Sequence, residues 1–130
     1  MPSPAEAPRR ILVVDDETSI RELVSTRLQL AGYHVTTAKD GVEALSLLSE
    51  RTFDGMVLDL QMPQMDGFGV LQCLGDLPHP PPTLILTASH DAASVQQAVK
   101  LGARDYLSKP FEDRQLLMRV ARLFRTQAGI

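Results

Sequence analysis

Short apolar runs that stop at polar residues constrain the fold of this chain more than any other feature. The first run is Ile11–Val14, four consecutive aliphatic residues followed directly by two aspartates. Two later segments rich in apolar residues end in the same way, residues 53–58 at Asp59 and residues 83–86 at Thr87. Apolar runs of this length are typical of strands buried on both faces of a parallel sheet.

Segments with the apolar spacing of helices separate these strands. Gly32 follows the first helical segment and is predicted to be its C′ residue, whereas Asp40 and Asp66 precede later helices as predicted N-caps. The second helix is predicted to bury Val42, Leu45 and Leu48. In all, five strands alternate with five helices, a pattern that predicts an α/β domain with a (βα)5 doubly wound sheet of five parallel strands.

Length and composition favour a single globular domain and exclude several classes of protein. We predict a domain at residues 10–126 of the 130, with loose tails at residues 1–9 and 127–130 and no separate output module. The single cysteine, Cys73, excludes an internal disulfide framework and a cysteine-based zinc site. A net charge of −3 gives no indication of direct nucleic-acid binding. Because the chain lacks an apolar signal segment and any apolar run near the ~20 residues of a membrane span, we expect a cytoplasmic protein without membrane contact.

Charged and hydroxyl side chains follow the predicted strands, where parallel sheets bind their ligands: Asp15, Asp16, Asp59, Thr87 and Lys109. At about 5 Å and an effective dielectric of about 20, each pair of carboxylates repels by roughly 3 kcal/mol. Protonation or a cation must relieve this repulsion, and oxygen ligands at an open site suit Mg²⁺. An aspartate nucleophile beside a metal, an ammonium and a hydroxyl fits phosphoryl transfer to form an acyl phosphate.

The motifs at these strand ends resemble those of one protein family, the receiver domains of bacterial response regulators. They are, in order, ILVVDDE, LDLQMPQMDG, LILTA and DYLSKPF. The resemblance covers nearly the whole chain and implies the flavodoxin-like strand order 2-1-3-4-5 of the CheY-like fold. It implies a phosphoacceptor domain of a two-component system rather than an enzyme. The phosphoryl donor would be the phosphohistidine of a histidine kinase or of a phosphotransfer protein.

Carried over by position, the resemblance assigns the acceptor and the metal ligands. It implies that Asp59 is the phosphorylated residue and that Asp15 and Asp16 hold Mg²⁺ together with Asp59. The backbone carbonyl of Gln61 completes this metal site in the family. Gln61 and Ser89 also match the two variable positions that the family links to the lifetime of the phosphoryl group.

The resemblance likewise assigns the phosphate-binding and switch residues. Thr87, the backbone N–H of Ala88, and Lys109 correspond to groups that bind the phosphoryl oxygens, so that Asp59, Thr87 and Lys109 form the reacting set. Thr87 and Tyr106 correspond to a hydroxyl and an aromatic ring that switch together. The resemblance implies that the surface of the fourth helix, fifth strand and fifth helix then changes and binds a downstream target. It also implies a cis peptide bond before Pro110.

The sequence leaves some alternatives open and argues against others. Asp15 and Asp16 could cap the first helix, and Tyr106 could simply pack in the core. An aspartyl-phosphate phosphatase of the dehalogenase type needs Asp-x-Asp after its first strand, and a flavin or nucleotide fold needs a glycine- or hydroxyl-rich first loop; this chain has neither. The chain could be a module of a larger hybrid kinase or multidomain regulator, or a scaffold that is not phosphorylated. It could be a monomer or a phosphorylation-dependent homodimer, although Arg104 stands where one dimerising subfamily has an acidic residue.

Overall fold

One five-stranded sheet with helices on both faces organises the protein in a computed structural model, which describes residues 7–62, 64–88 and 91–128. Residues 1–6 of the predicted N-terminal tail, Ser89, and residues 129–130 lie outside the described residues. All strand pairs are parallel, in the order β2-β1-β3-β4-β5, which confirms the predicted fold class and strand order. The elements are β1 Arg10–Val14, α1 Thr18–Leu30, β2 His34–Ala38, α2 Gly41–Glu50, β3 Gly55–Leu58, α3 Gly67–Leu74, β4 Thr83–Thr87, α4 Ala92–Lys100, β5 Asp105–Ser108 and α5 Asp113–Ala128.

The central strands bury side chains on both faces, and two separate hydrophobic cores result. Ile11 and Val13 of β1 face α1 and α5, whereas Leu12 and Val14 face α2, α3 and α4. Successive side chains of a strand point to opposite faces, so an unbroken aliphatic run is needed to fill both cores. This double burial holds the carboxyl ends of β1, β3 and β4 at one edge of the sheet.

Three helix boundaries follow the predicted capping residues. The Asp40 side chain accepts a hydrogen bond from the Glu43 N–H at 2.8 Å, and the Asp66 side chain accepts one from the Gly69 N–H at 3.0 Å. Gly32 has a φ of +100°, a left-handed conformation in which glycine avoids the steric cost of a Cβ. Helix α1 instead begins after Glu17, which leaves Asp15 and Asp16 outside its N-cap position.

The buried face of α2 differs from the prediction at one residue. Val42 is 54% exposed, whereas Gly41, Ala44 and Leu48 are buried. Spacings of three and four residues place these three on one helical face. Val42 lies outside this face, so the prediction that its apolar side chain is buried is wrong. None of the helices in the described ranges combines the length and the apolar content that crossing a bilayer requires.

Candidate functional site

The register between β1 and β3 brings two aspartates side by side at the carboxyl edge of the sheet. Val14 pairs with Leu58, and the Asp59 N–H donates to the Val14 carbonyl at 3.0 Å. The Asp15 N–H donates to the Ala38 carbonyl of β2 at 3.2 Å. Both backbones therefore extend the hydrogen-bond ladder of the sheet, which fixes the positions from which their side chains project.

Three carboxylates converge at this edge. Each of Asp15, Asp16 and Asp59 offers one oxygen, and these oxygens all lie within 4.8 Å of one another. Asp15 is 2% exposed and Asp59 is 4% exposed, whereas Asp16 lies at the surface. An all-oxygen set that is open to solvent on one side suits a hard divalent cation that keeps some of its waters.

Lys109 places its ammonium inside this acidic cluster. Its Nζ lies 2.9 Å from Asp15 Oδ2, 3.5 Å from Asp59 Oδ2 and 3.6 Å from Glu17 Oε1. The backbone N–H of Lys109 donates to the Thr87 carbonyl at 2.9 Å. This hydrogen bond holds the backbone of Lys109, and therefore the base of its side chain, beside the end of β4. The following bond to Pro110 is cis, as expected. Lys109 thus supplies a cation that relieves part of the carboxylate repulsion.

Burial and neighbouring charges shift two pKa values at the site. Burial raises the pKa of Asp59 to about 6, helped by the charges of Asp15 and Asp16, although the Gln61 N–H and Lys109 favour its ionised form. Burial by itself lowers the pKa of Lys109, but the hydrogen bond to Asp15 and the surrounding carboxylates outweigh it and raise that pKa above its ordinary value. At neutral pH the site therefore holds a charged ammonium beside a largely ionised Asp59.

The raised pKa of Asp59 predicts an unusual pH dependence of stability without metal. The folded state binds this proton more tightly than the unfolded chain, so the contribution of Asp59 to stability is present near pH 4 and is lost as pH rises through about 6. Relative to Asp59→Asn, the wild type should lose up to about 3 kcal/mol between pH 4 and pH 8. Urea unfolding in EDTA across this range measures the difference, and a constant difference would contradict the prediction.

Thr87 and Tyr106 share one face of the sheet. Ile85 pairs with Tyr106 and Thr87 pairs with Ser108, so the alternation of side chains directs Thr87 and Tyr106 toward the face that α4 covers. Thr87 is fully buried at the end of β4, whereas Tyr106 is 42% exposed on the edge strand β5. Tyr106 is therefore not an ordinary core residue.

The remaining predicted residues lie around the same edge. The Gln61 N–H donates to Asp59 Oδ1 at 3.1 Å, while the Gln61 side chain is exposed. Ala88 directly follows Thr87 and is exposed. The structure thus collects the predicted metal, acceptor and phosphate-binding residues at the carboxyl ends of β1, β3, β4 and β5.

Two residues at the site were not singled out from the sequence. Glu17 contacts Lys109, and its position directly after two aspartates was the available signal. Arg21 donates from Nη1 to the Asp15 carbonyl at 2.8 Å and from Nη2 to Thr18 Oγ1 at 3.4 Å. No sequence signal indicated the Arg21 contact, because it depends on how the loop after β1 turns into α1.

Comparisons with known proteins show the family of this chain. A family model described as response regulator receiver domain matches residues 11–121. A probable transcriptional regulator, ycf27, of Guillardia theta is 42% identical over 123 residues, which are 92% of this chain and 47% of that protein. The response regulator MprA of Mycobacterium sp. (strain KMS) is 42% identical over 118 residues, 91% of this chain and 51% of that protein. The chain spans about half the length of the curated relatives it matches.

Solved structures show the same fold. The chemotaxis protein CheY4 of Vibrio cholerae superposes with a TM-score of 0.84 at 38% identity, covering 90% of this chain and 99% of that one. The receiver domain of the Francisella response regulator 1452 gives a TM-score of 0.85 at 34% identity, covering 92% of this chain and 98% of that one.

Proposed function

Because this chain belongs to the response regulator receiver domains of two-component signalling, we propose that it accepts a phosphoryl group on Asp59 from the phosphohistidine of a histidine kinase or phosphotransfer protein. Receiver domains are signalling domains rather than enzymes in the usual sense. The observation that carries the proposal is the position of Lys109 Nζ, 2.9 Å from Asp15 and 3.5 Å from Asp59 at the edge where Asp16 also lies.

In the proposed transfer, an Asp59 carboxylate oxygen attacks phosphorus and forms a P–O bond. The P–N bond of the donor breaks, its electron pair stays on the imidazole nitrogen, and that nitrogen takes up a proton from solvent. Attack requires an ionised carboxylate, and a pKa of about 6 leaves Asp59 mostly ionised at neutral pH. The sheet ladder holds Asp59 in place, so the reaction depends on positioning and charge neutralisation.

Asp15, Asp16 and Asp59, with the backbone carbonyl of Gln61, would hold Mg²⁺ at this edge. The fit rests on the all-oxygen donor set and on the 4.8 Å limit that encloses the three carboxylate oxygens. When bound, the cation supplies positive charge that neutralises the phosphoryl oxygens and the acidic cluster. The surface position of Asp16 leaves this side of the site open to the donor.

Lys109, Thr87 and Ala88 would bind the remaining phosphoryl oxygens. The Lys109 ammonium already lies beside Asp59, and as a point charge it suits an oxyanion. Thr87 would donate its hydroxyl hydrogen and Ala88 its backbone N–H, both from the end of β4, the strand next to β3.

The direct test is phosphorylation of the purified chain by a small donor. We expect incubation with acetyl phosphate and Mg²⁺ to add one phosphoryl mass, measured on the intact protein at neutral pH. Hydroxylamine should remove the label, since it cleaves acyl phosphates and leaves phosphate esters intact. A wild-type protein that gains no mass would refute acceptor chemistry and support the alternative of a scaffold receiver.

The same proposal covers the extent of the receiver unit, its oligomeric state and the surface that its target would bind. We propose residues 10–126 as the receiver unit, acting in the cytoplasm as a monomer or as a phosphorylation-dependent homodimer, alone or within a larger regulator or hybrid kinase. Its target would bind the surface formed by α4, β5 and α5. On this surface Arg119 of α5 donates to Asp105 of β5 at 2.8 Å. The next residue of β5, Tyr106, points to the opposite face of the sheet and is 42% exposed.

The switch is predicted to couple Thr87 to Tyr106. A phosphoryl group adds charge and three acceptor oxygens at Asp59, so Thr87 should turn toward it and open space that the Tyr106 ring fills. Ring NMR signals of Tyr106 should shift on phosphorylation, and Thr87→Ala should still be labelled but show a much smaller shift. Tyr33, which packs against Phe124 elsewhere, is the internal control. Unmoved Tyr106 signals in the labelled wild type would rule out this coupling.

A further inference from the structure

The first residue of α2 lies against the backbone of the segment between β3 and α3. A Cβ on Gly41 would lie 2.3 Å from the Met65 carbonyl oxygen and 2.9 Å from the Met65 Cβ. Carbon and carbonyl oxygen ordinarily approach no closer than about 3.3 Å. Gly41 begins its helix without a positive φ, so the helix itself does not require glycine there. The requirement comes from the packing of Met65.

The same segment closes back on the acceptor strand at a second glycine. A Cβ on Gly67 would lie 2.5 Å from the Asp59 carbonyl oxygen and 2.7 Å from the Leu60 Cα. The Gly67 N–H also donates to the Leu60 carbonyl at 3.0 Å. Met65 and Gly67 are therefore wedged between the start of α2 on one side and the peptide after Asp59 on the other.

The packing of Met65 and Gly67 is connected to the reacting carboxyl group of Asp59 through the backbone of Gln61. The Gln61 N–H donates to Asp59 Oδ1 at 3.1 Å, so a shift of this backbone changes a hydrogen bond of the proposed acceptor. The same shift of the backbone would move the Gln61 carbonyl, which is the proposed metal ligand. A side chain at position 41 would need Met65 to move by about 1 Å to restore ordinary contact.

We propose that Gly41 is a positioning residue for phosphoryl acceptance. Its missing side chain lets Met65 pack against α2, and this packing, passed on through Gly67, sets the backbone of Asp59 and Gln61. The inference rests on the proposed function, and it assigns a role in the reaction to a residue of α2 that touches neither phosphate nor metal.

Gly41→Ala is the primary test. The variant should fold, because alanine is the better helix former, but its Gln61 amide NMR signal should shift and its labelling by acetyl phosphate should slow by about 10-fold or more. Gly75→Ala is the matched control, since its Cβ would meet the Gln72 carbonyl oxygen at an ordinary 3.5 Å. This control should keep the wild-type rate within about twofold, by the same reasoning on displacement.

A second pair of variants, Gly69→Ala and Gly69→Ala combined with Met65→Ala, tests the inference if Gly41→Ala does not fold. These variants act on the side chain of Met65 rather than on its backbone. A Cβ on Gly69 would lie 2.8 Å from Met65 Cγ, so Gly69→Ala should slow labelling less severely, and adding Met65→Ala should restore the rate. Wild-type labelling and an unmoved Gln61 amide in Gly41→Ala would overturn the inference, as would a slowed Gly69→Ala that Met65→Ala does not restore. If wild type and Gly75→Ala are both unlabelled, the proposed function fails instead, while the Gln61 shift still reports the positioning.

Discussion

Replacing Asp59 with asparagine is expected to abolish phosphorylation, reducing the incorporated phosphoryl groups from one per chain to none. The amide keeps the shape of the side chain but lacks the anionic oxygen that attacks phosphorus. Intact-mass measurement after incubation with acetyl phosphate and Mg²⁺ checks the result. Because Asp59 is 4% exposed and contacts Lys109, folding of the variant should be confirmed by its unfolding curve in EDTA.

Asp76→Asn supplies the matched control for this experiment. Asp76 is exposed just after α3, away from the acidic cluster, and its replacement removes the same charge. It should take up one phosphoryl group at the wild-type rate. A folded Asp59→Asn that still gains one hydroxylamine-sensitive phosphoryl group would show that another carboxylate is the acceptor.

Removal of divalent cations is expected to have the second-largest effect. Asp15 and Asp16 leave excess negative charge beside Asp59, and Lys109 offsets only part of it. Without a cation to neutralise the incoming phosphoryl oxygens, labelling should slow by about 100-fold or more, which corresponds to a loss of at least about 2.7 kcal/mol of transition-state stabilisation. EDTA followed by re-addition of Mg²⁺ checks this result, and undiminished labelling in EDTA would exclude the metal role.

Two substitutions separate metal binding from stability in the same cluster. Both Asp15→Ala and Asp16→Ala should weaken Mg²⁺ binding in an NMR titration that follows the Gln61 amide. In metal-free thermal melts they should differ. Asp16→Ala relieves repulsion and should be neutral or stabilising, whereas Asp15→Ala removes the 2.9 Å hydrogen bond to Lys109 and should cost about 2 kcal/mol. Equal melting temperatures for the two variants would contradict this electrostatic account.

The identity of the site residues was accessible from the sequence because of how parallel sheets are built. Residues that end buried parallel strands must meet at one edge, so the sequence groups Asp15, Asp59 and Thr87 at one site. Their individual roles came from the resemblance of four motifs to receiver domains. The family match over residues 11–121 confirms that resemblance.

Contacts between distant residues could not be predicted in the same way. The sequence places Lys109 at the same edge as the aspartates, but which of them it contacts does not follow from the sequence. Its 2.9 Å contact with Asp15, 94 residues earlier, depends on the path of the chain after β5. Val42 also shows this limit, because an apolar residue in the first turn of α2 can face either side of the helix.

The sequence by itself determined the alternation of strands and helices and the chemistry at each strand end. These depend on local spacing and on the chemical nature of single residues, both of which are written along the chain. Tertiary structure alone decided that Lys109 lies within contact distance of both Asp15 and Asp59, and that the missing side chain of Gly41 leaves room for Met65. Both depend on distances between segments that only meet once the two cores have packed, and at those distances a shift of about 1 Å changes the result.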